Sequence, residues 1–174
     1  VGFRSGFMHR NLGWIHELDL LYDASTFDTD PFEPEPDGAN TIFPFWVATA
    51  RDGPRHNPAS DGYVELPYTL PQDSTLFLLF QERSIQIWKR KLDWIAEKGG
   101  MALLNVHPDY LSFTGERTRT TYSSAHYEDF LDYIREKYSD VVYRALPRNL
   151  ASFVRQSCRT MSLQSTHLRQ EPVA

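Results

Sequence analysis

Four apolar residues, Ile85, Trp88, Leu92 and Ile95, recur at spacings of three and four, and Gly99-Gly100 halts the pattern just before a second apolar run at 101–106. That spacing places the four on one face of a helix, with Lys89, Arg90, Lys91, Glu97 and Lys98 largely on the wet side. Glycine tolerates the left-handed backbone that ends a helix. The run MALLNV, bounded by Gly-Gly and Pro108, reads as a buried strand. A helix over 84–98 joined to a strand over 101–106 by two residues is an αβ unit, so the chain is expected to be α/β.

The rest of the chain fits around that unit. Phe3-Arg4 reads as a strand end breaking into a turn at Ser5-Gly6. Asn11 is placed to cap a helix over 12–20, with Trp14, Ile15, Leu18 and Leu21 as its apolar stripe. A short strand is expected at Tyr22, and acids and hydroxyls then crowd from Asp23 to Asp30. Three prolines exclude a helix or central strand over 31–38. Residues 41–50 are aromatic but interrupted by Pro44, 51–62 read as an exposed loop, and 63–66 as a short strand. The weakly regular stretch 24–70 is expected to wall a cleft, because long ordered loops tend to carry function. Beyond it, 74–80 reads as a strand or helical turn, 124–138 as a helix showing Tyr127, Phe130, Leu131 and Ile134, 141–145 as a strand, and 150–157 as a helix. The polar segment 158–174 is expected to be a poorly ordered tail.

Composition excludes several classes of function. Within 174 residues there are 18 basic and 23 acidic side chains, a formal net charge of −5 with no long basic run. Nucleic acid is therefore not an expected partner. Lone Cys158 allows no intrachain disulfide and fits a reducing, cytoplasmic compartment. No apolar stretch has membrane-spanning length, so no membrane partner is expected. The chain starts at Val1 with no slack before structure, which reads as the C-terminal part of something longer.

His107, at the end of the apolar run and followed by Pro108, is the first candidate for chemistry, since imidazole exchanges protons near neutrality. Capping a turn is the plainer role for it and for Asp109. Arg4 can hold a carboxylate through a charge-assisted pair. Asp23 and Asp28 are candidates to orient His107 or to meet a polar substrate. Trp46, Tyr68, Asp109 and Tyr110 are candidates to line a sugar-binding wall. The six histidines show no HxxxH or HExxH spacing, and no Gly-rich phosphate loop, nucleophile elbow or CxxC is present. On this reading the chain itself binds no cofactor.

Six blocks in order, GFRSGFM at 2–8, YDASTFD at 22–28, IFPFW at 42–46, GYVELPY at 62–68, LDWIA at 92–96 and NVHPDY at 105–110, together resemble the C-terminal half or more of a polysaccharide deacetylase-like protein. The resemblance covers residues 2 to 150. It implies a partial distorted (β/α) barrel over 1–157, of the glycoside hydrolase/deacetylase type, lacking its N-terminal strands. It also implies a metal-dependent hydrolase that removes acetyl groups or opens related C–N amide bonds on a carbohydrate or small amide. In such enzymes a divalent metal, usually zinc, activates water. His107 would be the general acid, Arg4 would orient the catalytic-base Asp, and Asp23 or Asp28 would partner His107. The family's metal ligands precede its arginine motif, and only three residues precede Arg4 here. The divalent metal is accordingly expected in a full-length homologue rather than on this chain. The missing N-terminal half, or self-association through exposed strand edges, would be the partner. The alternative implied is a non-catalytic glycan-binding or structural remnant of the deacetylase fold.

Overall fold

The computed structural model describes residues 1–6, 11–28, 39–48 and 61–168, with side chains through 158. The stretches 31–38 and 51–60, which the sequence marks as loops, lie outside the described residues, as does 169–174 at the end of the expected tail. The chain forms two compact units, Val1–Pro67 with Ala145–Ala174, and Tyr68–Arg144.

The first unit is built on a four-stranded sheet of β1 (Gly2–Phe3), β2 (Tyr22–Asp23), β3 (Phe45–Ala48) and β4 (Gly62–Glu65), in the order β1-β2-β4-β3. Strands β1, β2 and β4 run parallel, and β3 is antiparallel to β4. The register sets Asp23 beside Glu65 and Tyr22 beside Val64. Asn11 caps α1 (Leu12–Ile15), its Oδ1 accepting from Trp14 N at 3.1 Å. The helix expected over 12–20 does not run on. It tightens into a 3₁₀ turn at His16–Leu18, and Asp19 with φ 51° turns the chain away. Tightening rotates the stripe, so Leu12 and Ile15 are buried while Trp14 and Leu18 face solvent. Leu12 and Ile15 pack on Tyr63 with Phe45 and Val47, and Tyr63 Oη donates to Leu12 O at 3.0 Å. Helix α4 (Pro147–Leu168) starts on a proline, which suits a first helical turn because that N–H has no helical acceptor. It runs well past the stretch 150–157 and through much of the expected tail.

The second unit packs two helices around aromatic side chains. α2 (Gln86–Lys98) buries Trp88, Leu92 and Ile95, and Gly99 at φ 68° ends it with N–H bonds back to Ile95 O and Ala96 O through the cap. α3 (Ala125–Tyr138) buries Phe130, whereas Leu131 of its expected face is exposed. Trp88 is fully buried, edge-on to Phe77 at 4.9 Å and 5.0 Å from Phe130, and its indole N–H donates to Pro71 O at 2.7 Å. Burying a ring of this size contributes on the order of 3 kcal/mol. On the wet side, Asp93 of α2 accepts from Tyr133 and Tyr138 of α3 at 2.7 and 2.6 Å and meets Lys137 at 2.9 Å.

Neither expected strand of this unit forms. Residues 101–106 form no regular secondary structure, and only Asn105 among them is buried. Their neighbour is the stretch 69–73, in which Pro71 has no N–H to give. The contact is improvised: Thr69 N and Leu70 N donate to Leu103 O, and Leu103 N donates to Thr69 Oγ1 at 2.9 Å. A side-chain hydroxyl takes a backbone position that a ladder would need. At 141–145 the N–H groups of Val141 and Val142 turn back onto Tyr138 O, finishing α3 instead of pairing. The two-residue strands β5 (Leu111–Ser112) and β6 (Tyr122–Ser123) make a separate parallel ladder.

The architecture is mixed α/β, but not through the αβ unit expected over 84–106, whose strand does not form. It is not a partial (β/α) barrel. The four-stranded sheet ends at the edges β1 and β3, and the second sheet has two strands, so neither closes or curls into a barrel.

Candidate functional site: a histidine held by a buried aspartate

The site lies in the second unit, where the chain leaves 101–106. His107 sits in extended backbone ahead of a 3₁₀ turn, Pro108–Tyr110, which Pro108 initiates. The carboxylate on its ring is that of Asp73, the N-cap of a π-helical stretch, Ser74–Leu79. His107 Nδ1 lies 2.6 Å from Asp73 Oδ1, and His107 N donates to Asp73 Oδ2 at 2.8 Å. Two contacts from one residue to both carboxylate oxygens fix the ring and the chain together. Ser74 N also donates to Oδ1 at 2.8 Å, and Tyr122 Oη donates to Oδ2 at 3.0 Å. Asp73 is fully buried, so these four donors replace the water it has lost.

Burial, followed by the neighbouring Asp73 charge, pushes the Tyr122 hydroxyl far above its usual range, so it acts as a fixed donor. Its ring packs on Phe77 at 4.6 Å and stacks on His126. Burial lowers the pKa of His126 and nearby Arg117 adds to this, while Asp129 opposes them. His126 is thus a neutral ring of the aromatic cluster.

The His107 side chain is 31% exposed. With Nδ1 committed to Asp73, the tautomer carrying its proton there is favoured, and Nε2 is left to accept from a ligand, or to donate when protonated. The Tyr110 ring stands 5.0 Å from the imidazole at 39°, adding an aromatic wall. Asp109 is exposed on the same turn. Tyr68, the other wall candidate of this unit, is buried.

The remaining candidates belong to the first unit. Arg4 is exposed just beyond β1, and Asp28 is buried. Trp46, on β3, has the Arg155 guanidinium of α4 over its ring at 5.9 Å, the outer limit of a cation–π contact. Asp23 is fully buried and accepts from Ser25 Oγ at 2.8 Å; that hydroxyl in turn accepts from Ser5 N. Beside it Glu65 Oε1 takes Ser25 N, Thr26 N and Thr26 Oγ1 at 3.0, 3.0 and 2.8 Å. Burial, then the adjacent Asp23 charge, raises the Glu65 pKa to about 8. Near neutral pH it holds a proton.

Three residues that shape these sites, Asp73, Tyr122 and Glu65, are not among the sequence candidates. For Asp73 the signal was an acid directly before Ser74-Thr75, a common N-cap arrangement. For Glu65 it was a carboxylate inside the apolar string GYVEL, where an unpaired charge is rarely tolerated. Nothing in the sequence marks Tyr122 among nine tyrosines.

The geometry also tests the metal-dependent hydrolase reading. Among the described residues, no three His, Cys, Asp or Glu side chains converge to hold a metal ion. His9 and His56 lie outside the described residues, and His107, although its Nε2 is open, belongs to no three-residue ligand cluster among the described residues. In the buried carboxyl pair of Asp23 and Glu65, burial and the Asp23 charge raise the Glu65 pKa to about 8, so the pair does not present two anionic ligands near neutral pH. The described residues do not fit a catalytic divalent ion, and the reading of this chain as the C-terminal portion of a metal-dependent deacetylase is corrected. The non-catalytic alternative accords better with this arrangement. Among the described residues no helix is long and apolar enough to cross a membrane. No protein-family model, curated protein or solved structure matches this chain.

Proposed function

We propose that this chain is a non-catalytic carbohydrate-binding protein whose contact residues are His107 and Tyr110, with Asp109 at the rim. The observation that carries the reading is the 2.6 Å bond from Asp73 to His107 Nδ1, on an imidazole one-third exposed beside a tyrosine ring. An oriented imidazole edge exchanges hydrogen bonds with a sugar hydroxyl at little entropic cost. An aromatic face accepts the apolar side of a pyranose. The ligand class comes from the resemblance to polysaccharide deacetylase-like proteins. One cysteine with no disulfide partner fits a cytoplasmic setting.

The test is titration calorimetry against a panel of oligosaccharides with free and acetylated amino groups. A member of the panel should bind in the micromolar to millimolar range, and His107→Ala should weaken it about tenfold or more, since one good hydrogen bond plus its positioning is worth roughly 1.5 kcal/mol. Binding unchanged by His107→Ala, or no binding across the panel, refutes the proposal.

A further inference from the structure

The strongest arrangement outside that site lies on the two central strands of the first sheet. Asp23 on β2 and Glu65 on β4 are register partners, and both are fully buried. Adjacent parallel strands hold their side chains close, so two ionised carboxylates there would repel in a medium that screens poorly. The contacts settle which oxygen carries the proton. Glu65 Oε1 is saturated by Ser25 N, Thr26 N and Thr26 Oγ1. Glu65 Oε2 is buried and takes no donor among the described residues, and the Asp23 carboxyl beside it raises the Glu65 pKa. A proton on Glu65 Oε2, shared with Asp23, satisfies both.

The other acidic or basic residues on the elements around β4 are Asp28 after β2, Arg4 after β1, and Arg148, Arg155, Arg159 and His167 in the sequence of α4. Strand β3 carries none. Among the described residues, the charge that bears on Glu65 is that of Asp23.

We propose that the Asp23–Glu65 pair is a proton-held joint in the first unit, closed while the carboxyls share a proton and loosened when rising pH removes it. The joint is well placed for such an effect. Glu65 anchors the turn after β2 through Ser25 and Thr26, while Leu66 N donates to Asp23 O and Val64 N to Leu21 O across the same strand pair. Losing the proton sets two like charges against those bonds. The direction follows from linkage. Glu65 binds its proton more tightly folded than unfolded, so its contribution is whole below the ordinary glutamate pKa of 4.5 and is lost as pH rises through about 8.

Hydrogen exchange on the full chain between pH 6 and 9 tests the proposal, with intrinsic exchange rates divided out. Protection of the Ser25, Thr26, Val64 and Leu66 amides should fall about tenfold per pH unit up to about pH 8 and then level off. Amides of the α2 helix serve as an internal control and should keep their protection. Glu65→Gln keeps the Oε1 acceptor and supplies a permanent donor to Asp23, so its β2–β4 protection should not vary with pH. In parallel, the carboxyl carbon of Glu65 in the wild-type chain should titrate near 8, a readout that does not depend on the variant folding. Titration near 4.5, flat wild-type protection, or the same pH dependence in Glu65→Gln would each overturn the joint.

Discussion

Asp73→Asn is the most discriminating perturbation of the His107 site, because it removes one charge and changes almost no volume. The carboxylate accepts from Ser74 N and His107 Nδ1 on Oδ1, and from His107 N and Tyr122 Oη on Oδ2. Asparagine offers one accepting oxygen and one NH₂. With the oxygen in the Oδ1 position, the NH₂ meets Tyr122, whose hydroxyl can rotate to accept, and His107 N–H, which cannot. With the amide flipped, the NH₂ meets the imidazole, which can change tautomer, and Ser74 N–H, which cannot. Either way one backbone donor next to a fully buried side chain is orphaned, at about 1–3 kcal/mol, and the remaining bonds lose their charge assistance. A total of about 3–4 kcal/mol follows, a large share of the stability of a unit this size. Urea denaturation of both proteins, followed by near-UV circular dichroism of the aromatic cluster, measures it. Hydrogen exchange at Ser74 and His107 should report the orphaned amide directly. A loss below about 1 kcal/mol, with both amides still protected, would refute the account of Asp73 as the hub of the site.

Two further outcomes follow from features of the fold. Gly62→Ala should destabilise the first unit by about 2 kcal/mol or more in thermal unfolding, because the added Cβ runs into the Val47 carbonyl oxygen and the Trp46 indole across the β3–β4 pair. An unchanged melting temperature would show that this strand pair opens freely. For Asp93, burial pushes the pKa up, but hydrogen bonds from Tyr138, Tyr133 and Lys137 with the Lys137 charge outweigh it, leaving a net lowering. The α2–α3 clamp therefore contributes above the ordinary aspartate range and is lost as pH falls through the lowered value. Tyrosine fluorescence should track that loss, and Asp93→Asn should abolish its pH dependence; an identical acid profile in the variant would rule the clamp out.

How far these features were legible in the sequence depends on whether local chemistry or distant partners decided them. The helix around Trp88 was readable because its periodicity, its charged face and Gly99 agree at short range. Asn11 was readable as a cap, but the length of its helix was not, because Asp19 ends it in a left-handed conformation that only glycine would have signalled clearly. The strand at 101–106 failed for a non-local reason. An apolar run is a strand only if its neighbour offers a ladder, and that neighbour, Thr69 with Pro71 after it, meets Leu103 across 34 residues. Prominence at a chain break made His107 visible, while its partner did not come from the acids that looked available. The side chain of Asp73 reaches it across 34 residues, a separation no pattern in the sequence encodes. Glu65 was visible only as an anomaly whose meaning depended on finding Asp23 beside it.

The order in which the two units occur along the chain carries a consequence for how the protein is made. The second unit is continuous, from Tyr68 to Arg144, and every contact that defines it is available once that segment has been synthesised. The first unit is interrupted: its sheet is complete by Glu65, but α4, which packs against β2, β3 and β4, arrives only after the whole intervening unit. Its closure joins β4, ending at Glu65, to a helix that begins only at Pro147, and such closures are slow because loop entropy is lost before the contacts form. During synthesis the four strands therefore wait with α4's face uncovered while the younger segment folds ahead of them. A chain cut short before Pro147 would leave the second unit able to assemble and the first permanently open, a different failure from any single substitution in either one.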